Sequence, residues 1–243
     1  MRALIVSDIH SNLEALQGVL GDANRRGGFD MVWCLGDVVG YGPDPGPCIE
    51  LLRQQDLVCV VGNHDYAAIG KIGVEEFNTY AAQAARWTAA QLCKDQADFL
   101  GGLAEVERKG NFTLVHGSLR DPVWEYLVGQ YAAVDTFGRL ETPYCLVGHS
   151  HIPVLCTEMG SVAAFGPFVE DEAVKLGQQR MIINPGGVGQ PRDGDPRPSY
   201  VLYDSDSGTL TRHRVTYDIA ITQEKMRRVG LPDYLIQRLS HGR

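Results

Sequence analysis

The chain has 243 residues, 44% of them hydrophobic and 21% charged, which is typical of a folded globular protein with a sizeable core. Its formal net charge of −8 argues against broad nucleic-acid binding, because phosphate contacts need a basic face; a nuclease whose metal ions supply the positive charge stays open. No apolar run approaches the ~18 residues of a membrane span, and the first predicted strand begins almost at Met1, so we expect neither a membrane segment nor a signal peptide.

The first half of the chain alternates between short apolar runs and amphipathic stretches. The runs at about 3–7, 31–35 and 57–61 predict buried strands. Apolar residues at helical spacing after Asn12 predict a helix that this residue caps, and a second helix precedes the third strand. Between them, Gly40–Pro47 is too rich in glycine and proline for regular structure. The strand–helix–strand order predicts parallel strands with right-handed crossovers.

Residues 66–103 form a predicted helical excursion between two strands. Tyr80, Ala84 and Trp87 share one face of it. Two interpretations stay open: these helices cap the strand ends, or they are surface helices that pack on the sheet.

The second half favours short, closely spaced strands. We expect them at about 105–109, 112–116, 144–148, 153–157, 161–165, 180–184, 199–204 and 210–215. A helix near 131–140 interrupts the series, and the apolar face of Leu231–Leu239 predicts a terminal helix. The acidic Glu170–Glu172 segment is predicted to be a solvated hairpin tip. The close spacing predicts a second sheet of mostly antiparallel character.

Five of the apolar runs are followed at once by short clusters of histidine, aspartate or asparagine. These clusters are Ser7–His10, Gly36–Asp37, Gly62–Asp65, His116–Gly117 and Gly148–His151. Such residues are poor strand formers and are costly to bury unless they share a partner. A metal centre at the carboxyl edge of a sheet is the simplest shared partner.

The six cysteines do not form a thiolate metal site, because no two of them have C-x-x-C spacing. Cys34, Cys59 and Cys145 lie inside predicted buried strands, where a free cysteine behaves as a small apolar residue. Free cysteines fit a reducing compartment, so we expect a cytoplasmic protein.

Seven cluster residues are candidate metal ligands that offer carboxylate, amide or imidazole groups. They are Asp8, His10, Asp37, Asn63, His116, His149 and His151. This set is too large for one tetrahedral site and suits two metals that share a bridging aspartate. Mixed nitrogen and oxygen ligation without thiolate favours two divalent ions of manganese, iron, zinc, cobalt or nickel over calcium or magnesium.

The order and content of these clusters resemble those of the calcineurin-like metallophosphoesterases. The family motifs D-x-H, G-D, G-N-H-D, H-G and G-H-[ST]-H read here as Asp8-Ile9-His10, Gly36-Asp37, Gly62-Asn63-His64-Asp65, His116-Gly117 and Gly148-His149-Ser150-His151. They extend from residue 8 to 151, and similarity to the small bacterial and archaeal members continues through Asn184–Arg192. A single D-x-H or N-H-D motif would be weak, whereas the ordered set of five is specific.

The resemblance divides the seven candidate ligands between two metals. One metal would be held by Asp8, His10 and His151, the second by Asn63, His116 and His149, and Asp37 would bridge them. The family mechanism implies that a metal-bound hydroxide attacks the phosphate in an in-line displacement, with no covalent enzyme intermediate.

Two further residues of the G-N-H-D motif are candidates for the chemistry itself. His64 would protonate the leaving oxygen or stabilise developing charge, and the alternative is a structural or phosphate-positioning role. Asp65 either orients the His64 imidazole or caps the next helix. Outside the motifs, Arg192 is a candidate phosphate contact or a turn-stabilising salt bridge, and Tyr41 is a candidate substrate contact at the pocket border.

The resemblance implies an α/β fold, a four-layer α/β/β/α sandwich of two mixed sheets flanked by helices, as a single domain over residues 1–243. The alternating first half independently supports one sheet-and-helix layer pair.

The predicted activity is metal-dependent hydrolysis of a phosphate monoester or diester. The sequence does not separate a protein phosphatase, a dinucleoside-polyphosphate hydrolase, a nuclease and a cyclic-nucleotide phosphodiesterase. The expected partner is a small phosphate-ester substrate, without membrane or extended nucleic-acid binding, and no oligomeric state is indicated. The alternative is a non-catalytic scaffold that binds other proteins, as the retromer scaffold subunit does. Scaffold members tend to lack part of the ligand set or the histidine of N-H-D, whereas this chain has both.

Overall fold

Two six-stranded β-sheets with flanking helices make up the computed structural model, which describes residues 1–243. The strands are β1 Arg2–Val6, β2 Met31–Cys34, β3 Leu57–Cys59, β4 Val106–Lys109, β5 Phe112–Val115, β6 Tyr144–Leu146, β7 Val154–Met159, β8 Val162–Pro167, β9 Ala173–Lys175, β10 Met181–Asn184, β11 Ser199–Asp204 and β12 Thr209–Arg214. The helices are α1 Leu13–Arg25, α2 Pro45–Arg53, α3 Asn63–Ala68, α4 Thr79–Gln91, α5 Lys94–Gly101, α6 Gln130–Arg139, α7 Ile219–Arg228 and α8 Asp233–Arg238. None of the helices combines the length and apolarity needed to cross a bilayer.

The first sheet has the strand order β3-β2-β1-β11-β12-β9. As predicted, β1, β2 and β3 are parallel, with Ile5 opposite Trp33 and Trp33 opposite Val58. The other three strands run antiparallel to their neighbours. Parallel pairing brings the carboxyl ends of β1, β2 and β3 to one edge of the sheet, so the residues that follow these strands lie side by side.

The second sheet has the order β4-β5-β6-β10-β7-β8. Three of its five pairings are antiparallel, which confirms the expected mostly antiparallel character. The strands predicted at 199–204 and 210–215 were expected in this sheet but, as β11 and β12, they join the first one, because β11 pairs with β1 and β12 with β11. Within the second sheet, β5 and β6 are parallel, so the residues that follow these two strands also lie at one edge of that sheet.

Successive side chains of a strand point to opposite faces of its sheet, and each face packs against a different layer. On β1, Leu4 and Val6 pack with α1 and α2, whereas Ala3 and Ile5 pack with β5 and β6 of the second sheet. The far face of the second sheet packs on Phe137 and its neighbours in α6. The order of layers is helices, first sheet, second sheet and helix, which confirms the predicted α/β/β/α sandwich.

Two short segments differ from the prediction. Gly40–Pro47 is not irregular throughout, since α2 begins at Pro45, where the fixed φ and missing N–H of proline suit a first helical turn. Glu170–Glu172 is not a hairpin tip, because β8 lies at the edge of the second sheet and β9 at the edge of the first. The segment crosses between the sheets, and the Asp171 carboxylate within it contacts the His213 ring.

The helical excursion at 66–103 is three helices with a non-helical segment at 69–78 between the first two. Its first helix, α3, begins at Asn63, so three residues of the G-N-H-D motif, Asn63, His64 and Asp65, lie in a first helical turn. The excursion therefore begins at the candidate metal site itself.

Candidate metal centre

The two sheets meet at a shared edge where the polar clusters converge. Six of the seven predicted ligands fall into two groups of three, Asp8 with His10 and His151, and Asp37 with His116 and His149. Within each group the possible ligand atoms lie within 4.8 Å of one another, and all six residues are buried. The seventh, Asn63, lines the same pocket as Asp37, His149 and His151.

The backbone is strained at five of these positions. The residues with positive φ are Asp8 at 54°, His10 at 47°, Asp37 at 53°, His149 at 63° and His151 at 59°. A non-glycine residue in this region costs about 1–3 kcal/mol and tends to occur at functional sites. Backbone hydrogen bonds hold two of these turns together, from Asp8 N to Gly36 O at 3.1 Å and from His10 N to Asp37 O at 2.9 Å. The strain turns the ligand side chains towards one another.

Each of the four imidazoles has one ring nitrogen within hydrogen-bond distance of a backbone carbonyl oxygen. The pairs are His10 Nδ1 with Val39 O at 3.1 Å, His116 Nδ1 with Leu35 O at 2.7 Å, His149 Nε2 with Trp124 O at 3.1 Å and His151 Nδ1 with Gln190 O at 2.6 Å. A carbonyl only accepts, so these nitrogens carry the protons, and in the neutral form of each ring the other nitrogen keeps its lone pair. This arrangement fixes the tautomer that a metal ligand needs.

The free lone pairs face one another at short range. His10 Nε2 lies 3.2 Å from His151 Nε2, and His116 Nε2 lies 3.1 Å from His149 Nδ1. Burial holds the pKa values of His10 and His151 well below the usual range, so neither Nε2 atom of that pair has a proton to share. Burial acts to lower the pKa of His116, but Asp37 outweighs it and raises the pKa to about 9, so a cation at the second pair would take the place of the proton on His116 Nε2. Each pair is therefore suited to a cation between its two rings.

Two of the three residues that offer oxygen ligands, Asp8 and Asn63, are buried without hydrogen-bond donors to those oxygens. Neither carboxylate oxygen of Asp8 accepts a hydrogen bond, and Asn63 Oδ1 also lacks a partner. Burial raises the pKa of the Asp8 carboxyl to about 7. Unpaired buried acceptors are costly, and a bound cation would satisfy them. The donor set of this centre thus fits divalent metal ions.

Asp37 touches both groups of ligands. Its Oδ2 atom lies 3.6 Å from His10 Nε2 and 3.3 Å from His116 Nε2, and its Oδ1 atom accepts a hydrogen bond from His64 N at 2.9 Å. Burial acts to raise the pKa of Asp37, but the neighbouring His116 and His64 outweigh it and hold the pKa well below its usual range. A charged carboxylate between the two groups is the geometry of a bridging ligand.

Comparison with known proteins agrees with this geometry. Residues 1–208 match the sequence model of the calcineurin-like phosphoesterase superfamily domain. The chain belongs to this superfamily. An uncharacterized protein of Methanocaldococcus jannaschii is 41% identical over 246 residues, which cover 98% of this chain and 97% of that protein.

Two solved structures share the fold. The crystal structure of a metallophosphoesterase from Sphaerobacter thermophilus superposes with a TM-score of 0.91 at 44% identity, covering 100% of this chain and 99% of that one. A hypothetical protein from Pyrococcus horikoshii gives a TM-score of 0.80 at 18% identity, covering 100% and 98% of the two chains, and shows the fold alone. The superfamily is metal-dependent, in keeping with the two groups of candidate ligands.

His64 belongs to neither group of ligands but lines the same pocket. Its ring centroid is 4.9 Å from that of His10, 4.3 Å from that of Tyr41 and 4.8 Å from that of Phe77. Its Nδ1 atom is buried and has no hydrogen-bond partner. The ring is thus held by aromatic contacts, and the residue lines the pocket.

Asp65 does not contact the ring of His64. Its Oδ1 atom accepts a hydrogen bond from Val39 N at 3.0 Å, and its Oδ2 atom accepts one from Gly62 N at 3.0 Å. The structure therefore favours the helix-cap interpretation, because the carboxylate closes the first turn of α3 and ties it to the loop after β2. Direct orientation of the imidazole by Asp65 has no contact to support it.

Replacing Asp65 by alanine is expected to lower the free energy of unfolding by about 2–4 kcal/mol, because two buried N–H groups lose their acceptor. Urea unfolding followed by circular dichroism measures this change. The exposed Asp98→Ala variant on α5 is the control and should change stability by less than about 0.5 kcal/mol. An Asp65→Ala protein as stable as this control would contradict the capping role.

Tyr41 and Arg192 lie beside the candidate ligands, as the sequence predicts for substrate contacts. Both line the pocket of the metal centre, and the Arg192 guanidinium carbon lies 5.8 Å from the Tyr41 ring centroid. Arg192 Nη2 donates a hydrogen bond to Gln190 Oε1 at 3.0 Å, and the side chain forms no ion pair. The turn-stabilising salt bridge considered as its alternative role is therefore absent.

Several pocket residues were not found from the sequence. Phe77 and Asn78, before α4, and Trp124 and Tyr126, after β5, line a pocket of about 80 Å³ at the metal centre. Tyr126 stacks on the His149 ring, with centroids 4.0 Å apart. Trp124 and Tyr126 are two aromatic residues in the loop after the H-G motif, and they were the sequence feature that could have indicated this pocket wall. They lie in a loop, so no helical or strand periodicity marks them.

Proposed function

We propose that the protein is a hydrolase of phosphate esters that uses two divalent metal ions. We assign one ion to Asp8, His10 and His151 and the other to Asn63, His116 and His149, with Asp37 shared. The observation that carries this proposal is the set of buried oxygens on Asp8 and Asn63 that accept no hydrogen bond, beside four imidazoles with fixed tautomers. Such a cluster is costly unless cations satisfy it.

The metal ions, when bound, would supply Lewis acidity that polarises the phosphate and activates water. The chain itself binds and orients the ester. Arg192 presents a guanidinium with no carboxylate partner to a substrate phosphate, as a planar donor. His64, which lines the same pocket, offers a ring nitrogen to the leaving oxygen, as a proton donor or as a hydrogen-bond donor. Phe77 and Trp124 exclude water beside it.

The proposal is tested with generic esters. The purified protein with added manganese should hydrolyse bis-p-nitrophenyl phosphate, p-nitrophenyl phosphate or both, and the ratio of the two rates decides between diesterase and monoesterase. Parallel assays with iron, zinc, cobalt and nickel decide the preferred metal. If neither ester is turned over with any of these ions, the scaffold interpretation replaces the enzymatic one.

Metal binding is expected to stabilise the fold, since the centre gains partners for its buried lone pairs. Manganese at ~100-fold above its dissociation constant should add about 3 kcal/mol and raise the melting temperature by several degrees over chelator-treated protein. Calcium is the control, because four imidazoles suit it poorly and the shift should be smaller. Equal shifts with both ions, or none with manganese, would count against the assigned centre.

We also propose a single domain over residues 1–243 and a cytoplasmic location. The two sheets share one hydrophobic cluster, which supports a single domain. All six cysteines are free and five of them are buried, which supports a reducing compartment. We further propose that the 66–103 segment caps the site, on the support of Phe77 and Asn78 in the pocket wall.

A further inference from the structure

A second, larger cavity opens beside the pocket of the metal centre. Its volume is about 600 Å³, which is in the range of small-molecule sites. Tyr41, Asn78, Tyr126 and Arg192 line both spaces, so the cavity is continuous with the place where the phosphate would react. A substrate that reacts at the metal centre therefore has room for its organic part in this cavity.

The cavity is positively charged although the protein is acidic overall. Arg192 and Arg238 both line it, and no aspartate or glutamate does. Arg192 donates to Gln190 Oε1 and Arg238 Nε donates to the main-chain oxygen of Arg243, so neither guanidinium pairs with an aspartate or glutamate side chain, whereas the chain as a whole has a net charge of −8. Burial, and after it the charge of Arg192, lowers the pKa of Arg238. Two like charges on a cavity without an aspartate or glutamate side chain are suited to an anionic ligand.

The same cavity has aromatic walls. Tyr80 and Tyr234 stack with their ring centroids 4.8 Å apart and are 44% and 53% exposed, so their outer surfaces remain available to a ligand. The Arg238 guanidinium carbon lies 5.5 Å from the Tyr234 ring centroid. Exposed aromatic rings beside a guanidinium favour a flat ring with a nearby negative charge, because stacking and ion pairing then act together.

The helix α8 holds two of these residues in place. Its Leu235 and Ile236 side chains are buried against Ala81 and Ala84 of α4, which positions Tyr234 and Arg238 at the cavity. The helix lies beyond residue 208, where the match to the superfamily domain ends. This wall is thus an addition to the matched domain rather than part of its metal-binding core.

We propose that α8 completes a subsite for the organic part of the substrate, with an aromatic ring against Tyr80 and Tyr234 and a second anionic group at Arg238. This inference rests on the proposed function and narrows it to a substrate class. The class is phosphate esters whose organic part carries an aromatic ring and an additional negative charge, as a nucleotide with two separate phosphates does. Arg192, between the two spaces, contacts the reacting phosphate.

Two esters with the same leaving group test the anionic part of the subsite. One is the p-nitrophenyl ester of thymidine monophosphate, and the other carries an additional phosphate on the sugar. The wild-type protein should have a KM about tenfold lower for the second ester, and Arg238→Gln should remove this preference while the KM of the first ester changes less than about twofold. Arg228→Gln, an exposed arginine on α7, is the matched control and should keep the preference.

The aromatic part is tested by Tyr234→Ala, with the exposed Tyr131→Ala variant of α6 as its control. Tyr234→Ala should raise the KM of both thymidine esters about tenfold and leave that of methyl p-nitrophenyl phosphate unchanged. Because Tyr234 is exposed, melting temperatures should match those of the control. Unchanged KM values for the thymidine esters would overturn the ring contact.

Binding of thymidine bisphosphate, measured by calorimetry, tests the subsite independently of whether the protein hydrolyses phosphate esters. Metal-free wild-type protein should bind this probe about tenfold more tightly than Arg238→Gln. If the wild-type protein hydrolyses no ester with any metal but binding depends on Arg238, the enzymatic proposal fails and the subsite stands. If Arg238→Gln alters neither the KM preference nor the binding, the subsite is overturned.

Discussion

Replacing Asp37 by asparagine is expected to abolish phosphate-ester hydrolysis, with kcat/KM for bis-p-nitrophenyl phosphate falling at least about a thousandfold. The change keeps the size of the side chain and an oxygen to accept the hydrogen bond from His64 N. It removes the negative charge from the point between His10 and His116, where the assigned ions would share a ligand. Loss of that charge is expected to weaken the binding of both ions at once.

Metal content and activity should therefore fall together in Asp37→Asn. Elemental analysis of the purified variant measures the first, and the ester assay with saturating manganese measures the second. The exposed Asp98→Asn variant is the control for loss of one negative charge and should keep both. An Asp37→Asn protein that retains full metal content and activity within about tenfold of wild type would contradict the bridging assignment.

The convergence of the clusters could be predicted because it depends on strand direction. Asp8, Asp37 and Asn63 each follow a strand of a parallel trio, and parallel strands end at one edge. The same holds for His116 and His149 after β5 and β6. Apolar runs reveal such strands, since a strand that is buried on both faces has no polar positions.

Elements held by polar or edge contacts were harder to predict. The helix α7 has only Thr222 and Met226 buried, and its Lys225 side chain forms ion pairs with Glu14 and Asp44. The strand β9 is three residues long and pairs with β12 alone. Neither element produces the apolar periodicity on which such prediction depends.

Roles within the site depended on distant neighbours in the sequence. The choice between the two interpretations of Asp65 was decided by Val39 N, which belongs to a different loop. The wall of the larger cavity brings Tyr80 of α4 to Tyr234 of α8, more than half the chain away. The spacing of residues within a motif predicts which of its side chains can bind the same ion. It does not predict which distant loop or helix packs against those side chains.

His64→Ala is expected to lower kcat by about a hundredfold or more while the metal content stays at the wild-type value. His64 lies outside both groups of ligands, and its free Nδ1 faces no partner in the protein. The exposed His241→Ala variant is the control and should match wild type in both measurements. Equal losses of metal and of activity in His64→Ala would make this residue a ligand or a structural support.

The leaving group distinguishes the two chemical roles of His64 from mere positioning of the phosphate. A good leaving group such as p-nitrophenolate needs little help, whereas an alkoxide or phenolate of high pKa needs a proton or a strong hydrogen bond as the ester bond breaks. The loss of kcat in His64→Ala should therefore grow along a series of aryl esters as the pKa of the leaving phenol rises. A uniform loss across the series would mean that His64 acts on the phosphate oxygens, since those are the same in every member.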